Sequence, residues 1–403
     1  MATPSRFPSE PDTEAETTTP AVVTTPCDPW PRPYIFDSGL RRVAPYHYTY
    51  NTNAKERWRG KPLLEIFTSE FRDRPEGYYQ SAINDGKIHI NGRPGTATTI
   101  IRNGDIISHT LHRHEPPVTA QPIGIIHEDD DLLVINKPAG VPVHPAGRYN
   151  YNSVVEILRA ERAAPGWNPL PCNRLDRLTS GVMFIAKHKK AAEILTNQLT
   201  TRTVRKEYLA RVRGTFPPGP LTCDQPILQI SPKLGLNRVR ASGKSAKTLF
   251  IREASFPTYS IVRCLPLTGR THQIRVHLQY LGHPISNDPI YANRRVFGAN
   301  LGKASTSDSD DEDIMTRLSK MGKEEVADAV AYETEMREEY QNRMAERLTG
   351  EKCEVCGTEL YSDPGPHELG IYLHALRYRD EGGRWEYEAP RPEWAVMPGG
   401  EGG

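Results

Sequence analysis

Asn173-Arg174-Leu175-Asp176-Arg177-Leu178-Thr179-Ser180-Gly181, followed by Val182-Met183-Phe184-Ile185-Ala186, is the stretch from which the rest of the chain can be read. The five apolar residues are too few for an ordinary helix and follow turn-forming residues, so they predict a strand buried on both faces. Thr179, Ser180 and Gly181 turn the chain just before it and can donate to a carboxylate. Asp176 is thereby placed in a turn at a sheet edge, with Arg174 and Arg177 beside it to hold phosphates. The same residues admit a plainer reading, an aspartate capping a turn between two solvated arginines.

Outward from this stretch the pattern is many strands with few helices. Ile123 to Asn136 holds two apolar runs around the acidic turn Glu128–Asp131. Ser153–Arg162 and Ala191–Leu199 read as helices, and Tyr208–Val212, Lys247–Arg252 and Tyr259–Leu265 as strands. This order predicts an α+β fold with a mixed, mainly antiparallel central sheet. We divide the chain into a disordered tail (1–33), a small folded unit (34–118), a first catalytic part (119–302), a charged insertion (303–365), the last catalytic strands (366–396) and a second disordered tail (397–403). In the small unit Leu63, Leu64, Ile66, Phe67 and Phe71 fall at helical spacing, and Tyr78, Tyr79 and Ile83 start a second helix. Asn91-Gly92 and Asn103-Gly104 mark turns between strands. In the insertion, Ser305–Asp313 is an acidic run and Ile314–Leu348 reads as one or two charged helices.

Composition narrows the function. The formal net charge of +1 over 403 residues hides a segregation. Pro122–Gly302 carries 25 Lys and Arg against 12 Asp and Glu, an excess of 13 positive charges, whereas Lys303–Gly350 carries 7 against 13. A basic block of that size fits a polyanionic partner such as a nucleic acid. Mean hydropathy is −0.60 and no run of about 18 apolar residues occurs, so no membrane-spanning helix is expected. The six cysteines form no disulfide framework, which fits a reducing compartment. The acidic N-terminal stretch, unlike a usual mitochondrial presequence, leads us to expect a cytoplasmic or nuclear protein.

Arg174-Leu175-Asp176-x-x-Thr179-Ser180-Gly181 resembles the catalytic motif of the RluA-type pseudouridine synthases. Ile135-Asn136-Lys137-Pro138-Ala139-Gly140-Val141-Pro142-Val143-His144-Pro145 resembles the family's first motif. Lys206-Glu207-Tyr208-Leu209-Ala210 carries a tyrosine where the family has its active-site tyrosine. Leu267-Thr268-Gly269-Arg270-Thr271-His272-Gln273-Ile274-Arg275-Val276-His277-Leu278, with Gly282-His283-Pro284-Ile285 and Asp288 after it, is similar to the third motif. Leu373-His374-Ala375 matches the closing strand. Asn173 stands where bacterial members commonly carry His. The two helices and turns of the small unit resemble the alpha-L RNA-binding fold, and the segment around Cys353 resembles fungal tRNA members, including the synthase for position 32 of the anticodon loop.

The resemblance implies isomerisation of uridine within RNA. One ionised carboxylate, Asp176, attacks C1′ or removes the C2′ proton; sequence leaves both open. Tyr208 stacks on the uracil and takes the C5 proton, while Arg275 keeps Asp176 ionised. Arg270 is the second candidate for that pairing. Arg174, Arg177, Lys137, Lys206, Arg270 and His272 are candidates for RNA contact around a base flipped out of its stack. His272 and His277, in what reads as a strand-like motif, suit structural or phosphate roles better than metal binding. The reaction needs no cofactor or metal. Cys353 and Cys356 are half of a zinc knuckle, for which His367 and His374 are the candidate completing ligands. A deaminase–synthase fusion is excluded, because no His-x-Glu precedes Cys353 and the proline of a Pro-Cys-x-x-Cys site is missing. We expect an RNA substrate (tRNA first, rRNA or another RNA site next), no membrane, and a monomer; a catalytically inactive RNA-binding homologue is the remaining alternative.

Overall fold

The computed structural model describes residues 29–70, 76–164, 166–231, 235–306, 311–320, 348–365 and 368–396. Phe71, His367, residues 307–310 of the acidic run, residues 321–347 of the expected helices and nearly all of both tails lie outside them. No helix among the described residues is long and apolar enough to cross a membrane.

Two units result. The small one is Tyr46–Leu111; the large one joins Trp30–Pro45 to everything from His112 onward. This corrects the expected boundary at residue 34. Tyr34–Asp37 and Leu40–Val43 form a hairpin whose second strand pairs with Val118–Thr119. Arg32 pairs with Glu156, and the Tyr34 hydroxyl donates to the Tyr151 carbonyl. Those contacts tie the segment to the large unit, and they are invisible in a local pattern.

In the small unit the helices Leu63–Glu70 and Glu76–Asn84 accompany a four-stranded sheet in the order Tyr46–Asn53, Ile106–Arg113, Ile88–Ile90, Arg93–Pro94. The strand Ile106–Arg113 runs past the unit's limit. Trp58, Leu63, Ile66, Phe67, Tyr79, Ile83, Ile88 and Ile107 form the core.

The large unit is built on one sheet. Its main path runs Pro220–Asp224, Lys247–Ser255, Tyr259–Pro266, Val204–Arg213, Leu373–Asp380, Ser180–Ala186, Leu132–Lys137, Gly124–Glu128. Every pairing along it is antiparallel except one: Leu373–Asp380 runs parallel to Ser180–Ala186, with Ser180 opposite His374 and Gly181 opposite Ala375. The mixed, mainly antiparallel α+β fold expected above is therefore what forms. Gly181 makes the parallel contact possible. Its φ is +112°, and a Cβ there would sit 2.2 Å from the Ala375 carbonyl oxygen. Gly140, φ +87°, likewise lies against the Leu369 carbonyl, 2.6 Å from where its Cβ would be.

Two hydrophobic clusters lie against the sheet. Val154, Ile157 and Leu158 of the helix Val154–Glu161 join Leu133, Ile135, Val182 and Phe184. Ile274 and Leu278 of the helix Gln273–Tyr280 join Ala210, Val212, Phe250 and Val262. That second helix corrects the strand-like reading of the third motif. All residues from Gln273 to Gln279 are buried, so no polar face shows the 3.6-residue period.

The described part of the insertion is also ordered differently from a solvated acidic loop. Asp311 opens the helix Asp311–Lys320 and accepts from Arg238 and Arg240, both almost fully enclosed, while Ile314 enters the cluster around Leu236, Val276 and Tyr291.

Candidate active site

Asp176 sits in the turn that precedes Ser180–Ala186, where the amide of Thr179 donates to the Asp176 carbonyl at 3.0 Å. The turn hydroxyls do not reach the carboxylate as expected: Ser180 Oγ pairs with His374 Nδ1 at 2.8 Å, and Thr179 Oγ1 meets no partner among the described residues. The carboxylate is held from the opposite side. Arg275 donates from Nη1 to Asp176 Oδ2 at 3.2 Å, and its Nε and Nη2 donate to the two oxygens of Asp288 at 2.6 and 2.9 Å. Asp288 Oδ1 also accepts from the amides of Ile290 and Tyr291. The Arg275 fork is thus fixed by a buried carboxylate on one side, and its remaining nitrogen points at Asp176.

His272 Nε2 lies 3.5 Å from Asp176 Oδ2, and its Nδ1 lies 3.1 Å from the Tyr291 hydroxyl. Burial, reinforced by the Arg275 charge, pushes His272 down to about 4, so the ring is neutral at neutral pH. Desolvation would raise the Asp176 carboxyl, but the positive charge a protonated His272 carries and the charge and hydrogen bond of Arg275 outweigh it. The net direction is down. Asp176 is an ionised, partly accessible carboxylate in an otherwise closed site.

Tyr208 stands on the strand beside Leu373–Asp380, opposite Ala375 and Cys264. Its hydroxyl hydrogen-bonds to that of Tyr378. Burial, with Tyr378 adding to it, raises the Tyr208 phenol well above its ordinary value, and Tyr378 is pushed up to about 12. Both phenols are neutral at neutral pH.

Such a site offers one ionised carboxylate from a turn, a fixed guanidinium from a helix and an aromatic ring from a strand of the sheet. The family model described as RNA pseudouridylate synthase matches residues 131–280, which contain Asp176, Tyr208 and Arg275. A Saccharomyces cerevisiae protein, "tRNA pseudouridine(32) synthase, mitochondrial", is 47% identical over 373 residues, covering 90% of this chain and 78% of its own. The chain belongs to the RNA pseudouridylate synthase family.

The synthase is also 38% identical over 412 residues to human pseudouridylate synthase RPUSD2, across 90% of this chain and 74% of the human one. The solved structure of human RNA Pseudouridylate Synthase Domain Containing 4 aligns with 67% of this chain and 89% of that chain, at a TM-score of 0.43 and 23% identity. The synthase acts on RNA. The yeast relative is mitochondrial by name, which overturns the expectation of a cytoplasmic or nuclear protein. An acidic N-terminal stretch was too weak a signal to carry that expectation.

Several of the synthase's expected RNA contacts are placed differently. Lys137 is fully enclosed; its ammonium donates to the carbonyls of Pro138, Val141 and Arg177 at 2.9, 2.7 and 3.2 Å. It cannot touch a phosphate, and instead ties the first motif's loop to the loop carrying Asp176. Burial pushes its amine down to about 7, against the opposing pull of Asp176. His272 lines the carboxylate rather than an open surface, and Arg270 donates to the Ser245 carbonyl, not to Asp176. Arg174 is exposed, Arg177 donates to the Glu368 carbonyl, and Lys206 is half-buried. His277 is structural: its nitrogens face Thr248 Oγ1 and the Gln225 carbonyl, both at 2.9 Å.

Sequence reasoning gave no role to four residues around the synthase's site, although Asp288 and Asn173 stood within its motifs. Asp288 and Tyr291 fix Arg275 and His272, Tyr378 holds Tyr208, and Asn173 Oδ1 accepts the Phe184 amide at 2.9 Å. Asp288 had a signal, since a buried arginine needs a counter-charge; Tyr378 had none, because only the pairing of its strand with that of Tyr208 brings the two hydroxyls together. Of the candidate zinc ligands, His374 is engaged with Ser180.

Proposed function

We propose that the synthase isomerises uridine 32 in the anticodon loop of tRNA, in mitochondria, acting as a monomer. The observation that carries this reading is the 47% identity to a yeast enzyme named for that position, spread over 90% of the chain. In this reading Asp176 attacks C1′ of the flipped nucleotide or removes its C2′ proton. Either step requires the ionised form that Arg275 maintains. Tyr208 stacks on the detached uracil while the base turns from N1 to C5. Arg174, Arg177, Lys206 and Arg270 hold the flanking phosphates, and the small unit contributes further grip on the RNA, as its alpha-L-like order of helices and turns would. Loop uridines suit this chemistry because their bases unstack cheaply.

The test is incubation of unmodified tRNA transcripts with the purified protein and with Asp176→Ala, followed by pseudouridine mapping at single-nucleotide resolution. We expect product at position 32 with the wild type, none with Asp176→Ala, and similar tRNA binding by both. Product confined to another position would refute the substrate assignment. Substantial product from a clean Asp176→Ala preparation would refute the role of the carboxylate.

A further inference from the structure

The Cys353-x-x-Cys356 pair does not find its partners in its own neighbourhood. Across more than 240 residues of chain it meets His112 and His114. Cys353 Sγ lies 3.5 Å from His112 Nδ1, and Cys356 Sγ lies 3.3 Å from His114 Nε2. One donor atom from each of the four residues falls within 4.8 Å of all the others. Ligands sharing a tetrahedral zinc ion, with Zn–S near 2.3 Å and Zn–N near 2.0–2.1 Å, stand about 3.3–3.8 Å apart. A thiol–imidazole hydrogen bond would explain either close pair by itself. It does not explain two such pairs, from two separate segments, aimed at one point.

The surroundings fit a closed structural site. Leu348–Lys352 and Glu359–Tyr361 form a short antiparallel hairpin. At its tip the Gly357 amide donates to the Cys353 carbonyl at 2.8 Å, the Cys353 amide donates to the Thr358 carbonyl at 2.9 Å, and Gly357 has φ +65°. This turn presents both sulfurs to the same side. Thr358 Oγ1 lies 3.2 Å from Cys356 Sγ, placed to donate to a thiolate, and the two imidazole rings meet edge to face with centroids 4.9 Å apart. Among the hairpin residues whose burial is described, none joins a buried hydrophobic cluster, and Val355 at the tip is exposed. Two soft thiolates and two imidazoles, with no carboxylate and no fifth ligand grouped with them among the described residues, select zinc over harder cations.

We propose that His112, His114, Cys353 and Cys356 bind one zinc ion, which fastens the hairpin closing the insertion to the His112–His114 segment. The role is structural, since four protein ligands leave no open position for a reacting water. It stands independently of the substrate assigned above.

The test uses the full chain, purified from cells grown with added zinc. Elemental analysis should give one zinc per chain, and X-ray absorption should show two sulfur and two nitrogen neighbours. The double variants Cys353→Ser/Cys356→Ser and His112→Gln/His114→Gln should each fall below a tenth of an equivalent, while His367→Gln keeps the full amount. To guard against variants that fail to fold, wild-type protein stripped by a chelator is titrated with Co(II). A thiolate-to-cobalt charge-transfer band and tetrahedral d–d bands, saturating at one equivalent, support the site. The proposal is overturned by wild-type protein that carries no zinc and gives no cobalt spectrum. A Cys353–Cys356 disulfide in the protein as isolated, or zinc retained in full by the histidine double variant, overturns it equally.

Discussion

At the scale of single residues the site is a set of charges and phenols whose states are set by what encloses them. Tyr208 is the sharpest case. A phenol pushed well above its ordinary value is neutral when substrate arrives, and so is its hydrogen-bond partner Tyr378, so the proposed uptake of the C5 proton needs a route by which the pair first gives up a proton of its own. Tyr208→Phe keeps the ring and removes that route. Single-turnover rates should fall by roughly 10²-fold or more with tRNA affinity unchanged, and a wild-type rate would take the hydroxyl out of the proton transfer. Lys137 gives a second, thermodynamic test. Its amine is depressed from 10.5 to about 7 in the folded protein. Between those values the unfolded chain holds a proton that the folded one has lost, so stability rises with pH across that window, by at most about 1.4 kcal/mol per unit. Urea unfolding at pH 7, 8 and 9 should show the wild type gaining on Lys137→Met as pH increases; parallel curves would mean the amine stays charged when folded. Asp176 and Arg275 were legible in the sequence because a motif carries them. The fate of Lys137 was not, since a lysine in a basic motif reads as a phosphate contact until its burial is known.

At the scale of elements, legibility followed how much of each element faces water. The strand Ser180–Ala186 announced itself as an unbroken apolar run. The hairpin Gly124–Lys137 did so through its acidic turn, and the helix Lys189–Thr200 through its exposed polar face. The helix Gln273–Tyr280 hid, because enclosure on every side leaves no periodic signal. The short strands Pro220–Asp224, Ile227–Ser231 and Leu236–Val239 were missed for want of length. The parallel pairing at Gly181 could not be foreseen, although the glycine that permits it was in view. Gly181→Ala would force a Cβ into the Ala375 backbone at a positive φ. We expect a loss of about 3 kcal/mol in stability and displacement of the Asp176 turn, seen as a lower unfolding midpoint together with lost turnover. A variant with wild-type stability would show that the two strands do not meet there.

At the scale of the whole molecule, the excess of 13 positive charges between Pro122 and Gly302 predicts a strongly electrostatic affinity for RNA. Each phosphate neutralised releases condensed counterions, so binding to a tRNA should weaken by roughly tenfold or more between 50 and 200 mM salt. A binding constant flat over that range would mean that this basic block does not carry the binding. Charge segregation was visible in the sequence; the meeting of His112 and His114 with Cys353 and Cys356 was not, because only the fold brings residues so far apart in the chain together. The same long reach has a consequence for how the protein is made. Leu373–Asp380 fills the slot between Ser180–Ala186 and Val204–Arg213, yet it leaves the ribosome long after both. At about 5–20 residues per second the wait from Arg213 to Asp380 is roughly 10–30 s. Once Tyr259–Pro266 has emerged, the strands on either side of the slot can pair into two half-sheets, each with an unpaired edge that can recruit a neighbour's strand. A ribosome stalled within the insertion would leave a chain that has its aspartate and its tyrosine but no strand to join them.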